Sequence, residues 1–162
     1  FALVGHSERR HLFHETDTLA NERLLKCLES RLTPILCIGE TLDEHQSGKA
    51  HEVLSRQILQ GLKGVDQTQM GLLAIAYEPV WAIGTNQAAT PEVVQKTHVY
   101  CREVIAKEWG SKVADHIVIQ YGGSVTPANA TALLEQPDVD GLLVGGASLT
   151  LDSFSKIVLA RI

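Results

Sequence analysis

Three cysteines, Cys27, Cys37 and Cys101, are too few and too widely spaced for a disulfide scaffold in a chain of 162 residues. An odd number of unclustered thiols suits a reducing compartment instead. Positive charge is also scarce. Fourteen Lys and Arg face 19 Asp and Glu, a net charge of -5, which argues against nucleic acid or an anionic membrane as the main partner. No apolar run approaches the ~18 residues of a membrane span, and no basic-then-apolar signal segment opens the chain. Low-complexity tracts and linkers are missing as well. Phe1 is followed at once by an apolar run, without Met or a polar lead-in, and reads as the start of a piece cut from something longer. What is plentiful is apolar. With 44% hydrophobic and 20% charged residues, the composition argues against disorder and supplies a core for one domain over residues 1–162.

Short apolar runs alternate five times with longer helical patterns. The runs at 2–5, 34–39, 72–77, 117–121 and 141–144 are nearly continuous in apolar residues, as strands buried on both faces of a parallel sheet require. Between them, the spacing predicts a helix over 19–32 with Leu24, Leu25, Leu28 and Leu32 on one stripe. A second over 49–63 aligns Val53, Leu54, Ile58 and Leu62. Thr90 and Pro91 signal a capped helix start, with Glu92 at the positive dipole end and Gly110 at the exit. Thr126 and Pro127 repeat the device before 128–135, and 149–162 closes the chain. The alternation gives an α/β fold with parallel strands, either an open sheet or part of a barrel.

Parallel α/β folds bind ligands at the carboxyl ends of their strands. The loops there carry His6, then Glu78 followed by Pro79, then the Gly122–Gly123 and Gly145–Gly146 pairs. Glycine pairs beside helix starts expose N–H groups that can hold a phosphate dianion without a basic side chain, although each pair alone also suits a plain tight turn. His6 precedes a helical turn over 7–10, whose dipole disfavours imidazolium; it is either a neutral hydrogen-bond donor or a histidine that fixes the turn. Glu78 ends an apolar strand, where desolvation raises a carboxyl toward the range of a general base, or where it is simply solvated. Trp81 and Ile83 follow in a loop that would expose much apolar surface if always open, so a lid closing over a ligand is expected.

Other patterns carry less. Arg9 stands where the second Gly of G-x-S-x-G belongs, which rejects a hydrolase elbow around Ser7. His11, His14 and Glu15 have helical spacing but lack a third ligand at a recognised offset, so no metal site is expected. Ser153 and Lys156 match S-x-x-K without its partner motifs, and Cys37 lies inside a strand. Glu40, closing the second strand, belongs to the rim or is solvated.

The segments VGHSERR (4–10), ILCIGE (35–40), AYEPVWAIGT (76–85), YGGSV (121–125) and LVGGASL (143–149) appear in that order. Together they resemble the signatures of the triosephosphate isomerase family, over its fourth to eighth βα units. The resemblance implies a (β/α)8 TIM barrel, here five units of one barrel domain. It also implies interconversion of glyceraldehyde 3-phosphate and dihydroxyacetone phosphate without metal or organic cofactor. His6 would then be the electrophile, Glu78 the base working through an enediolate, and Glu8 a supporting residue. Gly84, Ser124, Gly145 and Gly146 would hold the phosphate, and Pro79, Val80, Trp81, Ala82, Ile83 and Thr85 would form the lid. A cytoplasmic glycolytic and gluconeogenic enzyme follows, a homodimer when complete, with no nucleic-acid or membrane partner. Two departures stand out. The family's Asn-x-Lys segment, whose lysine binds substrate, is absent, and Asn86 replaces the usual Gly after the lid's Gly-Thr. The competing expectation is a catalytically silent partial barrel, a folding or assembly module able to associate with a missing N-terminal piece.

Overall fold

The computed structural model describes residues 1–83 and 88–161. Five strands, β1 (Ala2–Val4), β2 (Pro34–Ile38), β3 (Ala74–Tyr77), β4 (Val118–Tyr121) and β5 (Gly141–Leu142), form one parallel sheet in the order β1-β2-β3-β4-β5. All five apolar runs are strands, each shorter than its run. Leu72, for instance, lies in a 3-10 turn (Gln69–Leu72) and is exposed.

Eight α-helices are described: α1 (Ser7–Leu12), α2 (Asp17–Glu29), α3 (Leu42–Gln46), α4 (Ala50–Gly61), α5 (Pro91–Trp109), α6 (Ser111–His116), α7 (Ala130–Leu134) and α8 (Leu151–Val158). Thr90 caps α5 by accepting from the Val93 N–H, Pro91 stands at its first position, and Gly110 leaves it with φ 93°. Helix α2 starts earlier than its apolar stripe because the Thr16 hydroxyl caps it. It also stops earlier, so Leu32 is exposed beyond Arg31, whose φ is 59°. Helix α3 escaped the periodicity because it is only five residues long; a Thr41–Glu44 capping box makes it. The Thr126–Pro127 device opens a turn rather than a helix, with Asn129 Oδ1 accepting from the Thr126 N–H, and α7 begins only at Ala130. The closing segment is divided, a 3-10 turn (Gly146–Leu149) preceding α8.

Register explains the burial. Val4, Leu36, Ile75 and Ile119 form one row across the sheet, and Ile38, Tyr77, Tyr121 and Leu142 form another on the same face. These rows meet Leu24, Leu54, Ile58 and Ile105 from the helices in the main core. The alternate rows face the other way. Leu3, Ile35, Ala74 and Val118 make the first, and its ends, Leu3 and Val118, are 47% and 41% exposed. Ile35, Cys37, Ala74 and Ala76 form a separate small cluster on this face, with Leu143 against it. A doubly wound sheet reverses its strand order and carries helices on both faces. Sequential order with the main core on one face is instead the arrangement of part of a (β/α)8 barrel.

Candidate active site

The carboxyl ends of β1 and β3 bring the two titratable residues together. Gly5 leaves β1 with φ 70°, a turn that glycine makes without strain. Its N–H donates to Glu15 Oε1 at 3.2 Å, and its carbonyl accepts from Arg10 Nε at 2.7 Å. His6 then becomes the N-cap of α1, its Nδ1 accepting from the Glu8 N–H at 3.4 Å. An Nδ1 that accepts leaves the ring proton on Nε2, which lies 3.2 Å from Glu78 Oε1.

Glu78 is only 3% exposed. Its N–H donates to the Ile38 carbonyl at 2.7 Å, and its Oε2 accepts from the Ser7 N–H at 3.2 Å. Burial lifts its carboxyl above the usual carboxylate range, with His6 and the Ser7 N–H opposing the rise. Two glycines make room for it. A Cβ on Gly122 would stand 2.9 Å from Glu78 Cγ, and one on Gly39 would stand 1.8 Å from the Glu78 carbonyl oxygen. The Cys37 thiol is driven well above its normal range by burial and then by the Glu78 carboxylate, so it stays protonated and inert.

His6, Glu8, Glu78, Ile83, Ser124, Gly145 and Gly146 line one cavity of about 520 Å³. Glu8 is exposed, and it is its backbone N–H that touches His6. Gly146 opens the 3-10 turn, whose first N–H groups have no partner within the turn. The expected lid residues are divided. Pro79 leads into a 3-10 turn (Val80–Ala82), and Ala82 is fully buried. Trp81 Nε1 donates to Glu40 Oε1 at 2.8 Å, and the indole lies 4.5 Å from the His45 ring. Among the described lid residues Ile83 alone lines the cavity. Gly84, Thr85 and Asn86 lie outside the described residues.

Glu40 is neither a rim residue nor solvated. At 1% exposed, it gathers Tyr77 OH, Trp81 Nε1 and His45 Nδ1 on Oε1. His11 and His14 are exposed while Glu15 is buried under Arg9 and Arg23. Among the described residues no group of three His, Cys, Asp or Glu is placed to hold a metal ion. None of the described helices is long and apolar enough to cross a membrane. Sequence reasoning missed Ser7 and Gly39, and it read Gly122 only as half of a phosphate-binding glycine pair. Ser7 acts through its backbone, and its only signal was its place directly after His6 at a helix start. The two glycines were readable as strand-end residues, but not as seats for Glu78.

The family model for triosephosphate isomerase matches residues 1–161. The chain is 51% identical over 158 residues to "Triosephosphate isomerase" of Protochlamydia amoebophila, covering 98% of this chain and 60% of that protein. With the protein of the same name from Fusobacterium nucleatum it shares 50% over 160 residues, 99% of this chain and 64% of the relative. The chain thus spans less than two thirds of the length of these relatives. A match running through every strand and every loop of the cavity leaves one assignment: the chain belongs to the triosephosphate isomerase family.

Proposed function

We propose that these residues supply the proton-transfer pair and the phosphate cradle of an enzyme interconverting glyceraldehyde 3-phosphate and dihydroxyacetone phosphate, within one barrel domain. The observation that carries this reading is the 3.2 Å approach of His6 Nε2 to Glu78 Oε1, in a cavity whose other wall is Ser124, Gly145 and Gly146. Glu78 takes the proton from the carbon beside the substrate carbonyl. His6 donates from Nε2 to the carbonyl oxygen as charge develops there, giving an enediolate that is reprotonated on the neighbouring carbon. Burial strengthens Glu78 as a base, because its raised pKa narrows the gap to the carbon acid. Substrate entry replaces the His6–Glu78 contact, each group turning to the inserted carbon skeleton.

Ser124, Gly145 and Gly146 hold the phosphate through N–H groups. Glu8 supports the site by fixing the His6 ring. No metal or organic cofactor is assigned, since proton transfer needs only these side chains. The complete protein is read as a cytoplasmic homodimer. Turnover of D-glyceraldehyde 3-phosphate by the full-length protein tests the reading, and a rate equal to that of buffer would contradict it.

A second reading, a silent module, is favoured for the 162 residues alone by the exposure of Leu3 and Val118 at the two ends of one apolar row. That row is suited to packing against further strands, and without them the placement of His6 against Glu78 loosens.

A further inference from the structure

Gln57 lies on α4 and is 5% exposed. Its carboxamide spends both ends on one residue. Oε1 accepts from the Gly39 N–H at 2.7 Å, and Nε2 donates to the Gly39 carbonyl at 3.2 Å. Gly39 in turn abuts the Glu78 backbone so closely that any Cβ there would stand 1.8 Å from the Glu78 carbonyl oxygen. The bonds on either side point the same way: the Glu78 N–H donates to Ile38 O at 2.7 Å, and the Val80 N–H to Glu40 O at 3.0 Å. Gly39 is therefore held between Gln57 and the backbone of Glu78. A leucine would fill the volume of Gln57 but leave a buried N–H and a buried carbonyl without these partners.

We infer that Gln57 is a positioning residue for Glu78, fixing through Gly39 the backbone seat that sets the reach of the carboxylate to His6. The inference rests on the reading of Glu78 as the base. Gln57 is not among the residues lining the cavity of His6 and Glu78, so it acts only through Gly39. On its other side lies a polar cavity of about 330 Å³ whose charged or titratable walls are Arg10, His11, Glu15, Asp17, Glu44 and Arg56.

Two variants of the full-length protein test this. Gln57→Leu removes both bonds, and kcat should fall about tenfold or more while KM stays within about twofold, because the base moves and the phosphate cradle does not. Gln57→Glu reads the clamp directly. Protonated, the new carboxyl accepts from the Gly39 N–H and donates to its carbonyl, as the amide does; ionised, it has no donor and faces that carbonyl with negative charge. Its kcat relative to the parent protein should therefore climb at least about threefold from pH 8.5 to pH 6. A purely structural role gives a ratio flat in pH, which would overturn the inference, as would an unchanged kcat in Gln57→Leu. Should Gln57→Leu fail to fold, Gln57→Glu carries the test alone. A crystal structure of either variant separates this from the functional reading. If the parent protein turns over no triose phosphate, that reading falls. Displacement of the Glu78 carboxylate from His6 in the variant then still supports the clamp, and an unchanged spacing refutes it.

Discussion

Gly39 and Glu78 touch backbone to backbone, leaving no space for a single carbon between the Gly39 Cα and the Glu78 carbonyl oxygen. Gly39→Ala must therefore push apart the ends of β2 and β3. The expected cost is on the order of 1–3 kcal/mol of stability and roughly 10²-fold in turnover. Urea unfolding read beside steady-state kinetics checks both. Turnover within twofold of the parent protein would remove the tight seat from the account.

Glu78→Asp retracts the carboxylate by about one methylene, from a position where Oε1 is 3.2 Å from His6 Nε2. A misplacement of ~1 Å costs on the order of 10²-fold in rate when the reacting groups must meet a carbon acid squarely. The loss should appear in kcat with little change in KM. An equal loss in substrate affinity would mean that Glu78 binds rather than reacts.

The glycines of the proposed phosphate wall should behave in the opposite way to Gly39. A Cβ on Gly145 or Gly146 meets no atom within 4 Å, so Gly146→Val has room in the free protein. Its side chain would crowd an anion seated on those N–H groups. Thermal stability should stay close to that of the parent protein while KM for triose phosphate rises about tenfold or more, roughly 1.4 kcal/mol of binding. Sulfate in a soaked crystal should lie beside Ser124, Gly145 and Gly146, and should be displaced by the valine.

Much of this was legible in the sequence, and the rest for physical reasons was not. Apolar runs with parallel-sheet character gave all five strands, and Thr90, Pro91 and Gly110 marked α5 nearly residue by residue. The choice between open sheet and barrel was not readable from periodicity, because it depends on which strands pair; the order β1-β2-β3-β4-β5, with the main core on one face, settles it. His6, Glu78 and the glycine pairs stood out because they interrupt apolar strand ends. Gln57 did not, since a glutamine on a helix reads as solvated until its amide is seen to close on Gly39. Trp81 was readable as apolar surface needing cover, but not as an indole anchored on Glu40.

His98 is fully buried on α5, with Nδ1 2.9 Å from the Asp138 carbonyl, and burial pushes its pKa from 6.5 down to about 4. A lowered histidine pKa means that the unfolded chain binds the proton first. The stability it contributes is full above pH 6.5 and is lost as pH falls toward about 4, in all roughly 3 kcal/mol. His98→Gln keeps a donor for Asp138 without a titrating ring, so its stability should fall less over that window. Parallel slopes for the two proteins, measured by denaturation from pH 7 to pH 4, would refute this.

Arg102 ties α5 to the segments flanking β4. It donates to Asp138 Oδ1 at 2.8 Å, to Asp140 Oδ2 at 2.6 Å, and to the carbonyls of Ala114 and Ile117. A lysine keeps the charge but cannot span four acceptors with one ammonium. Arg102→Lys should cost about 1–3 kcal/mol, discounted for the partial exposure of both aspartates. Its effect on kcat should be small, because the fork lies away from the His6–Glu78 cavity. Denaturant midpoints beside kcat separate the two.

On the proposed function, Glu78 carries a proton between adjacent carbons of a triose phosphate while His6 holds the oxygen. Proton magnetic resonance in D2O measures it directly, by following deuterium into the carbon beside the carbonyl with the full-length protein present. A base that lifts the proton from carbon exchanges it with solvent before returning it, so the parent protein should label both isomers, and Glu78→Gln should label them at least about 10³-fold more slowly. Labelling by Glu78→Gln at the parental rate, or isomerisation by the parent protein only through a route independent of Glu78, would contradict the account.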